Sequence, residues 1–141
     1  MRSRNQVFAD QVWRSIPYTA GQPEAKKYGG MAQQLPGLIR TAGLAQALAF
    51  AESKNQQKMN KPYPPAREML DHLARIVLSD PNATILLFSE QVRAPSTDLA
   101  AYMRLTRRSL EVCLWFKRFA ESKLDVKPGD EVNDEDTESG S

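Results

Sequence analysis

The sequence offers very little material for nucleophilic or redox chemistry. Its 141 residues include one cysteine and one histidine. A single cysteine, Cys113, excludes an intrachain disulfide and makes a reducing compartment the default. Ser-His-Asp and Cys-His catalytic arrangements would both depend on His72, the sole histidine. Because Cys113 lies within the apolar run at 112–116, it is predicted to be an inert core thiol.

Motifs for metals and phosphates are also missing. His72 follows Asp71 directly and Glu68 by four residues, which leaves a helical metal site open as an alternative to a plain surface or core histidine. A di-iron bundle, however, needs a second histidine that this chain lacks. The sequence contains no GxxxxGK[ST], GxGxxG, GxSxG or HExxH motif. We therefore expect no catalytic residues, no metal site, no cofactor and no catalysis by this chain alone.

Long apolar runs are absent as well. No run approaches the roughly 20 residues of a membrane span, and Arg2 and Arg4 are not followed by the apolar segment of a signal peptide. The apolar share of 41% and the charged share of 26% are typical of a soluble globular chain. We expect one cytoplasmic domain with no membrane partner.

The charges are divided unevenly along the chain. Residues 1–124 hold 18 Lys+Arg and 10 Asp+Glu, a net +8, whereas residues 125–141 hold one Lys and seven acids, a net −6. A compact body at +8 attracts polyanions, of which nucleic acid is the usual one. The acidic tail either aids solubility or competes with RNA for the basic body.

Proline, glycine and apolar spacing predict an all-α fold. The run at 85–88 is compatible with a buried strand, but no second strand exists to pair with it, so a short helix is expected. We predict a single helical bundle of about five to six helices over 1–124, followed by a disordered acidic tail over 125–141. The first predicted helix spans 4–16, and the second starts at Pro23. The third runs from Pro36 to about Ser53, and the fourth starts at Pro65 and stops before Asp80. The fifth lies within 83–92, and the sixth follows a cap at Ser96 or Thr97.

Small residues mark two places of close packing. Gly29-Gly30 in the second helix predicts either a kink or the close approach of another backbone. Gly43, Ala45 and Ala49 would allow a helix to approach closely, either within the core or from another subunit.

The last predicted helix carries a row of arginines. At about 100° per residue, Arg104, Arg107 and Arg118 fall within one quadrant, with Glu111 between them. We call these three arginines the arginine stripe. It is either a track for a phosphate backbone or a solvated face with an Arg107–Glu111 pair. Nearby Tyr28 and Tyr102 either stack on bases or are half-buried core residues.

Two blocks of the sequence resemble a known family. Residues 27–50 follow the pattern KYGxxAxxLPxxIRxxGLxxxLAF, and residues 102–121 are similar to that family's C-terminal helix. The family is the small subunit of Cmr-type (type III-B) CRISPR effector complexes, which are RNA-guided and target RNA. The likeness covers most of 4–124. One departure is Ala42, where the family usually has asparagine.

The resemblance implies a non-catalytic structural subunit for antiviral defence. Such a subunit stacks with copies of itself along a filament, contacts the backbone subunit, and lies beside guide RNA and target RNA. Sequence selection by guide pairing leaves only backbone contacts for the protein. By motif, the RNA-binding residues would be Lys26, Lys27, Arg40, Arg104, Arg107, Lys117 and Arg118.

Two other functions fit parts of the same sequence. A purely protein-protein helical scaffold or adaptor would turn its basic face toward an acidic partner without direct RNA contact. A helix-turn-helix DNA regulator would need a compact two-helix turn and usually a dimer. The long terminal helix and the lack of such a turn disfavour the regulator.

Overall fold

The computed structural model describes residues 1–130, and this part of the chain consists of six helices with no strand. The all-α prediction is confirmed, and the ambiguous run at 85–88 is helical. None of the helices in this part is long and apolar enough to cross a membrane. The helices are α1 (Arg4–Ser15), α2 (Pro23–Ala42), α3 (Leu44–Lys54), α4 (Pro65–Val77), α5 (Ile85–Arg93) and α6 (Leu99–Ser122).

Side-chain caps fix where α5 and α6 begin. Thr84 accepts a hydrogen bond from Leu87 N and so caps α5. The predicted cap of α6 at Ser96 or Thr97 is wrong, because Asp98 holds that position and accepts from Ala101 N at 2.9 Å. A carboxylate at a helix N-terminus also complements the helix dipole. Thr97 instead donates its hydroxyl to the carbonyl of Gln91.

The boundary between α2 and α3 differs from the prediction. Pro36 does not open a third helix but lies inside α2, where it is buried with Leu35 and Ile39. A proline inside a helix normally costs about 3 kcal/mol, and the buried apolar contacts offset that cost here. The chain turns instead at Gly43, whose φ of 87° suits a residue without a Cβ. Ala49 is exposed, so it takes no part in the core.

The core is organised around α2 and α6, which run antiparallel. Tyr28 near the start of α2 lies 6.4 Å from the Phe116 ring near the end of α6, measured between ring centroids. At the opposite end, Ala45 N donates to the Tyr102 hydroxyl at 3.1 Å. The remaining helices complete one continuous apolar cluster around this pair. Its largest fully buried side chains include Tyr28, Leu35, Leu48, Leu70, Phe88 and Phe116.

A short segment after α6 completes the core. Val126 is 4% exposed, and a Cβ added to Gly29 would lie 2.8 Å from its Cβ and Cγ2 atoms. The close approach at Gly29 is made by the side chain of Val126 and not by another backbone, and α2 continues through both glycines. Gln33 Nε2 donates to the carbonyl of Val126 at 3.0 Å. The packed chain thus extends past the predicted boundary at Leu124, while the rest of the predicted tail, 131–141, lies outside the described residues.

Candidate nucleic-acid interface

The arginine stripe lies on the outer face of α6. Arg104, Arg107 and Arg118 are all exposed and fall within about 60° of one another around the helix axis. Arg118 follows Arg104 by fourteen positions, which corresponds to about 21 Å of helix. The stripe faces away from the buried residues of α6, which are Ser109, Val112, Cys113, Phe116 and Ala120.

The acidic residue within the stripe is held by α1. Glu111 Oε1 lies 2.5 Å from Arg4 Nη2, so within residues 1–130 its ion-pair partner is Arg4 and the proposed Arg107–Glu111 pair is wrong. The reason is the packing of α1 along α6, which the sequence pattern did not reveal. Arg4 neutralises the one carboxylate between the stripe arginines.

The other predicted cations lie on or beside α2. Lys26 and Arg40 are exposed and share one edge of α2 within about 40°, together with Gln33. Gln33 Nε2 donates to the carbonyl of Lys117 on α6, which places this edge beside that residue. Lys27 is about 100° further round α2. Of the seven predicted cations, three form the arginine stripe, three (Lys26, Arg40 and Lys117) lie along the contact between α2 and α6, and Lys27 lies on another face of α2.

Neither predicted stacking tyrosine presents its ring to solvent. Tyr28 is fully buried, and its hydroxyl lies 2.7 Å from His72 Nδ1. Tyr102 is half-buried and accepts a hydrogen bond from Ala45 N. The core alternative is therefore correct for Tyr28, and Tyr102 serves mainly to join α6 to the start of α3.

The cysteine and the histidine are both built into the core. Cys113 is fully buried, and burial raises the pKa of its thiol to about 12, so the prediction of an inert core thiol is confirmed. The charge of Arg40 acts in the opposite direction, which places that guanidinium near Cys113. Among residues 1–130 no group of three or more His, Cys, Asp or Glu residues is placed to hold a metal ion.

His72 makes the stability of the fold depend on pH. Burial lowers its pKa below the ordinary 6.5, and Arg75 acts in the same direction, while Glu68 and Asp71 oppose them. Its Nδ1 faces the hydroxyl of Tyr28, which donates when the neutral ring carries its proton on Nε2.

We expect the free energy of unfolding to fall as the pH drops below about 6.5. Between the folded and unfolded pKa values of His72 the unfolded chain binds more protons, so the slope is at most about 1.4 kcal/mol per pH unit. Thermal unfolding between pH 7.5 and 5.0 measures it. His72→Gln keeps an acceptor for Tyr28 and should flatten the profile. An unchanged profile in that variant would show that His72 is not the source of the pH dependence.

The sequence predicted no functional role for two surface tryptophans and their neighbours. Trp13 on α1 and Trp115 on α6 both pack against Phe119, with ring centroids 5.1 and 5.6 Å from it. Arg118 and Lys123 lie over the two outer rings. We call these five residues the aromatic ladder. One feature of the sequence does indicate that Trp13 lies outside the core. Trp13 follows Val12 by a single position, so it is turned about 100° from the centre of the apolar stripe of α1.

Over residues 1–130 the fold is a single helical bundle whose thiol and imidazole contact the core. Its longest helix, α6, packs on the core with one face and exposes a cationic face on the other. The chain belongs to the Cas_Cmr5 family of CRISPR-associated proteins, whose model matches residues 4–123. The resemblance inferred from the two sequence blocks is thereby confirmed.

A relative and a solved structure, both from Thermus thermophilus, resemble the chain over nearly their full lengths. The CRISPR system Cmr subunit Cmr5 of that organism is 32% identical over 129 residues, covering 89% of this chain and 99% of the relative. The crystal structure of a CRISPR-associated Cmr5 family protein superposes with a TM-score of 0.70 at 32% identity, covering 87% of this chain and 99% of that one.

Proposed function

We propose that this protein is the small, non-catalytic subunit of a Cmr-type (type III-B) CRISPR complex and that its arginine stripe contacts the backbone of the guide or target RNA. The observation that carries the assignment to the complex is the family match over residues 4–123. The exposed stripe on α6 supports the RNA contact.

A structural role agrees with the state of the reactive side chains. The Cys113 thiol is buried with a raised pKa, and the His72 ring is engaged by Tyr28. A nucleophile needs an accessible group with an adjacent base, and these two residues supply neither. The protein therefore contributes surface to the complex and leaves its chemistry to other subunits.

The charges of the stripe suit contact with phosphates. The guanidinium group of arginine can donate two parallel hydrogen bonds to phosphate oxygens. Such contacts fix the position of a strand without reading its sequence. The carboxylate of Glu111 is already paired with Arg4, so it does not oppose an approaching strand. Lys26, Arg40 and Lys117 add positive charge where α2 and α6 meet.

Exposed apolar side chains support contacts with neighbouring subunits. Leu99 and Met103 are 74% and 54% exposed and precede Arg107 on one face of α6. Leu86 and Leu87 on α5 are also exposed. Large apolar groups at the surface favour burial against protein. Copies of the chain stacking along a filament, or the backbone subunit, would cover them.

The stripe is tested by replacing its three arginines in the assembled complex. We expect Arg104→Ala, Arg107→Ala and Arg118→Ala together to weaken RNA binding about tenfold or more. The slope of log affinity against log salt should fall by about 0.7 for each phosphate that is no longer neutralised, or about 2 in all. Binding measured by fluorescence anisotropy at several salt concentrations gives both quantities.

A matched variant removes the same amount of charge away from the stripe. Lys58→Ala, Lys61→Ala and Arg93→Ala remove three exposed cations from the α3–α4 loop and α5. This variant should bind RNA nearly as the wild type does. If both triple variants lose affinity equally, only net charge matters and the stripe assignment is wrong.

The exposed apolar residues also favour a second function, a protein scaffold that never meets RNA. Photocrosslinking of the reconstituted complex to target RNA discriminates the two. Adducts on α6 support the RNA contact. A complex that assembles and crosslinks through other subunits, with no adduct on this chain, supports the scaffold.

A further inference from the structure

The α1–α6 side of the molecule carries tryptophan rings that remain partly accessible at the surface. The buried face of α1 is formed by Phe8 and Val12. Trp13 lies outside that face and is 46% exposed, and Trp115 is half-buried. Tryptophan contributes most to stability when it is covered. The two tryptophans pack against Phe119 and remain partly accessible, so they offer ring surface to a ligand.

The rings of the aromatic ladder are held in place before any partner binds. Trp115 Nε1 donates to Asn5 Oδ1 at 2.8 Å, which fixes the indole plane. Lys123 Nζ lies 4.6 Å from the Trp13 ring centroid and donates to the carbonyls of Trp13 and Ile16. A fixed ring loses little conformational entropy on binding.

The surroundings of the aromatic ladder are positively charged. The Arg118 guanidinium lies 5.2 Å from the Trp115 ring centroid, and Lys123 covers Trp13. Asp10, an acid on this side, lies 3.2 Å from Arg14 and 3.8 Å from Arg2. Five cations therefore face two carboxylates here: Arg2, Arg4, Arg14, Arg118 and Lys123 against Asp10 and Glu111.

We propose that the aromatic ladder is a stacking platform for unpaired bases of single-stranded RNA that runs along the neighbouring arginine stripe. The inference rests on the proposed RNA contact and adds to it the ligand class: a strand with free bases, not a duplex. Arg118 belongs to both features, so a phosphate held by the stripe places the next base within reach of Trp115. Stacking accepts any base, which suits a subunit that does not read sequence.

The experiment uses the full-length chain and two fluorescein-labelled 12-nucleotide strands, one of mixed sequence and one with the same backbone but abasic. We expect the base-bearing strand to bind about tenfold tighter or more, because each stacked base contributes substantially to affinity. Trp13 and Trp115 are the only tryptophans in the chain. Their fluorescence should therefore be quenched by the base-bearing strand and not by the abasic one.

Substitutions separate stacking from phosphate contact. Trp13→Leu with Trp115→Leu should abolish the preference for bases and leave the salt slope unchanged. Phe50→Leu is the matched control, since Phe50 is another exposed ring, 47% accessible, with Lys54 over it at 5.2 Å. It should keep the preference. Melting curves by circular dichroism verify that each variant is folded.

Each other outcome has a distinct meaning. Equal affinity for the two strands, or unquenched tryptophans in a saturated complex, overturns the platform and leaves the backbone contact standing. Failure of both strands to bind contradicts the proposed RNA contact and the platform together. Loss of self-association in the double tryptophan variant, with RNA binding intact, assigns the ladder to a second copy and overturns the proposal.

Discussion

Arg67→Ala is expected to lower the free energy of unfolding by about 3 to 5 kcal/mol, the usual cost of removing one partner from a buried ion pair. Arg67 is 8% exposed, and its Nη1 atom lies 3.1 Å from Glu52 Oε1. The same nitrogen lies 3.4 Å from the carbonyl oxygens of Glu52 and Asn55. The substitution leaves the partly buried Glu52 carboxylate without its ion-pair partner and removes one donor from the carbonyls at the C-terminal end of α3.

Unfolding by urea, followed by circular dichroism, measures this decrease. Arg67→Met with Glu52→Gln removes both charges and should recover much of the stability, because no uncompensated charge remains. Arg14→Ala breaks the pair with Asp10 on exposed α1 and should cost less than about 1 kcal/mol. A decrease in Arg67→Ala no greater than in Arg14→Ala would show that the buried pair does not join α3 to α4.

One substitution made at two positions of α2 is expected to act with opposite signs. A Cβ at Gly29 would lie 2.8 Å from Val126, whereas a Cβ at Gly37 would meet nothing within 4 Å. Gly29→Ala should therefore destabilise the protein by about 1 to 3 kcal/mol through overpacking. Gly37→Ala should stabilise it by up to about 1 kcal/mol, because alanine is the better helix former. Urea midpoints of the two variants test the contrast directly.

A second change identifies the neighbour responsible. Val126→Gly removes the three side-chain atoms that approach Gly29, so Gly29→Ala should cost much less in that background. Amide hydrogen exchange should also show faster opening of the segment after α6 in Gly29→Ala alone. Equal effects of Gly29→Ala with and without Val126 would place the strain elsewhere in the helix pair.

Local sequence patterns predicted which segments are helical, but they did not predict the boundary between α2 and α3. The apolar period of α4 and the proline signals at both its ends predicted Pro65–Val77 closely. The prediction that Pro36 opens a new helix was wrong because the rule that proline starts or breaks a helix does not consider burial. Contacts of the buried residues around Pro36 keep α2 continuous. The true break at Gly43 depends on a positive φ. A glycine permits that conformation, but its presence in a sequence does not predict it.

The candidate site was predictable only where it lies on one helix. Arg104, Arg107 and Arg118 follow from the periodicity of α6 alone. The Arg4–Glu111 pair and the contact of Trp13 with Phe119 join residues more than a hundred positions apart, so periodicity cannot reveal them. Val126 was assigned to the tail because the sequence from Asp125 onward is rich in acids, yet its side chain packs against Gly29 and its carbonyl accepts a hydrogen bond from Gln33.

The packing of α1 on α6 has a consequence for how the protein is made. The first helix has only Phe8 and Val12 as buried residues, and Lys123, directly after α6, binds the carbonyls that end it. A helix of this length is marginal in water without a partner. During synthesis α1 can therefore contact α4 first and reach its full packing only after α6 has been made. More than 80 residues separate α1 from α6, so closing this contact carries a large loop-closure cost.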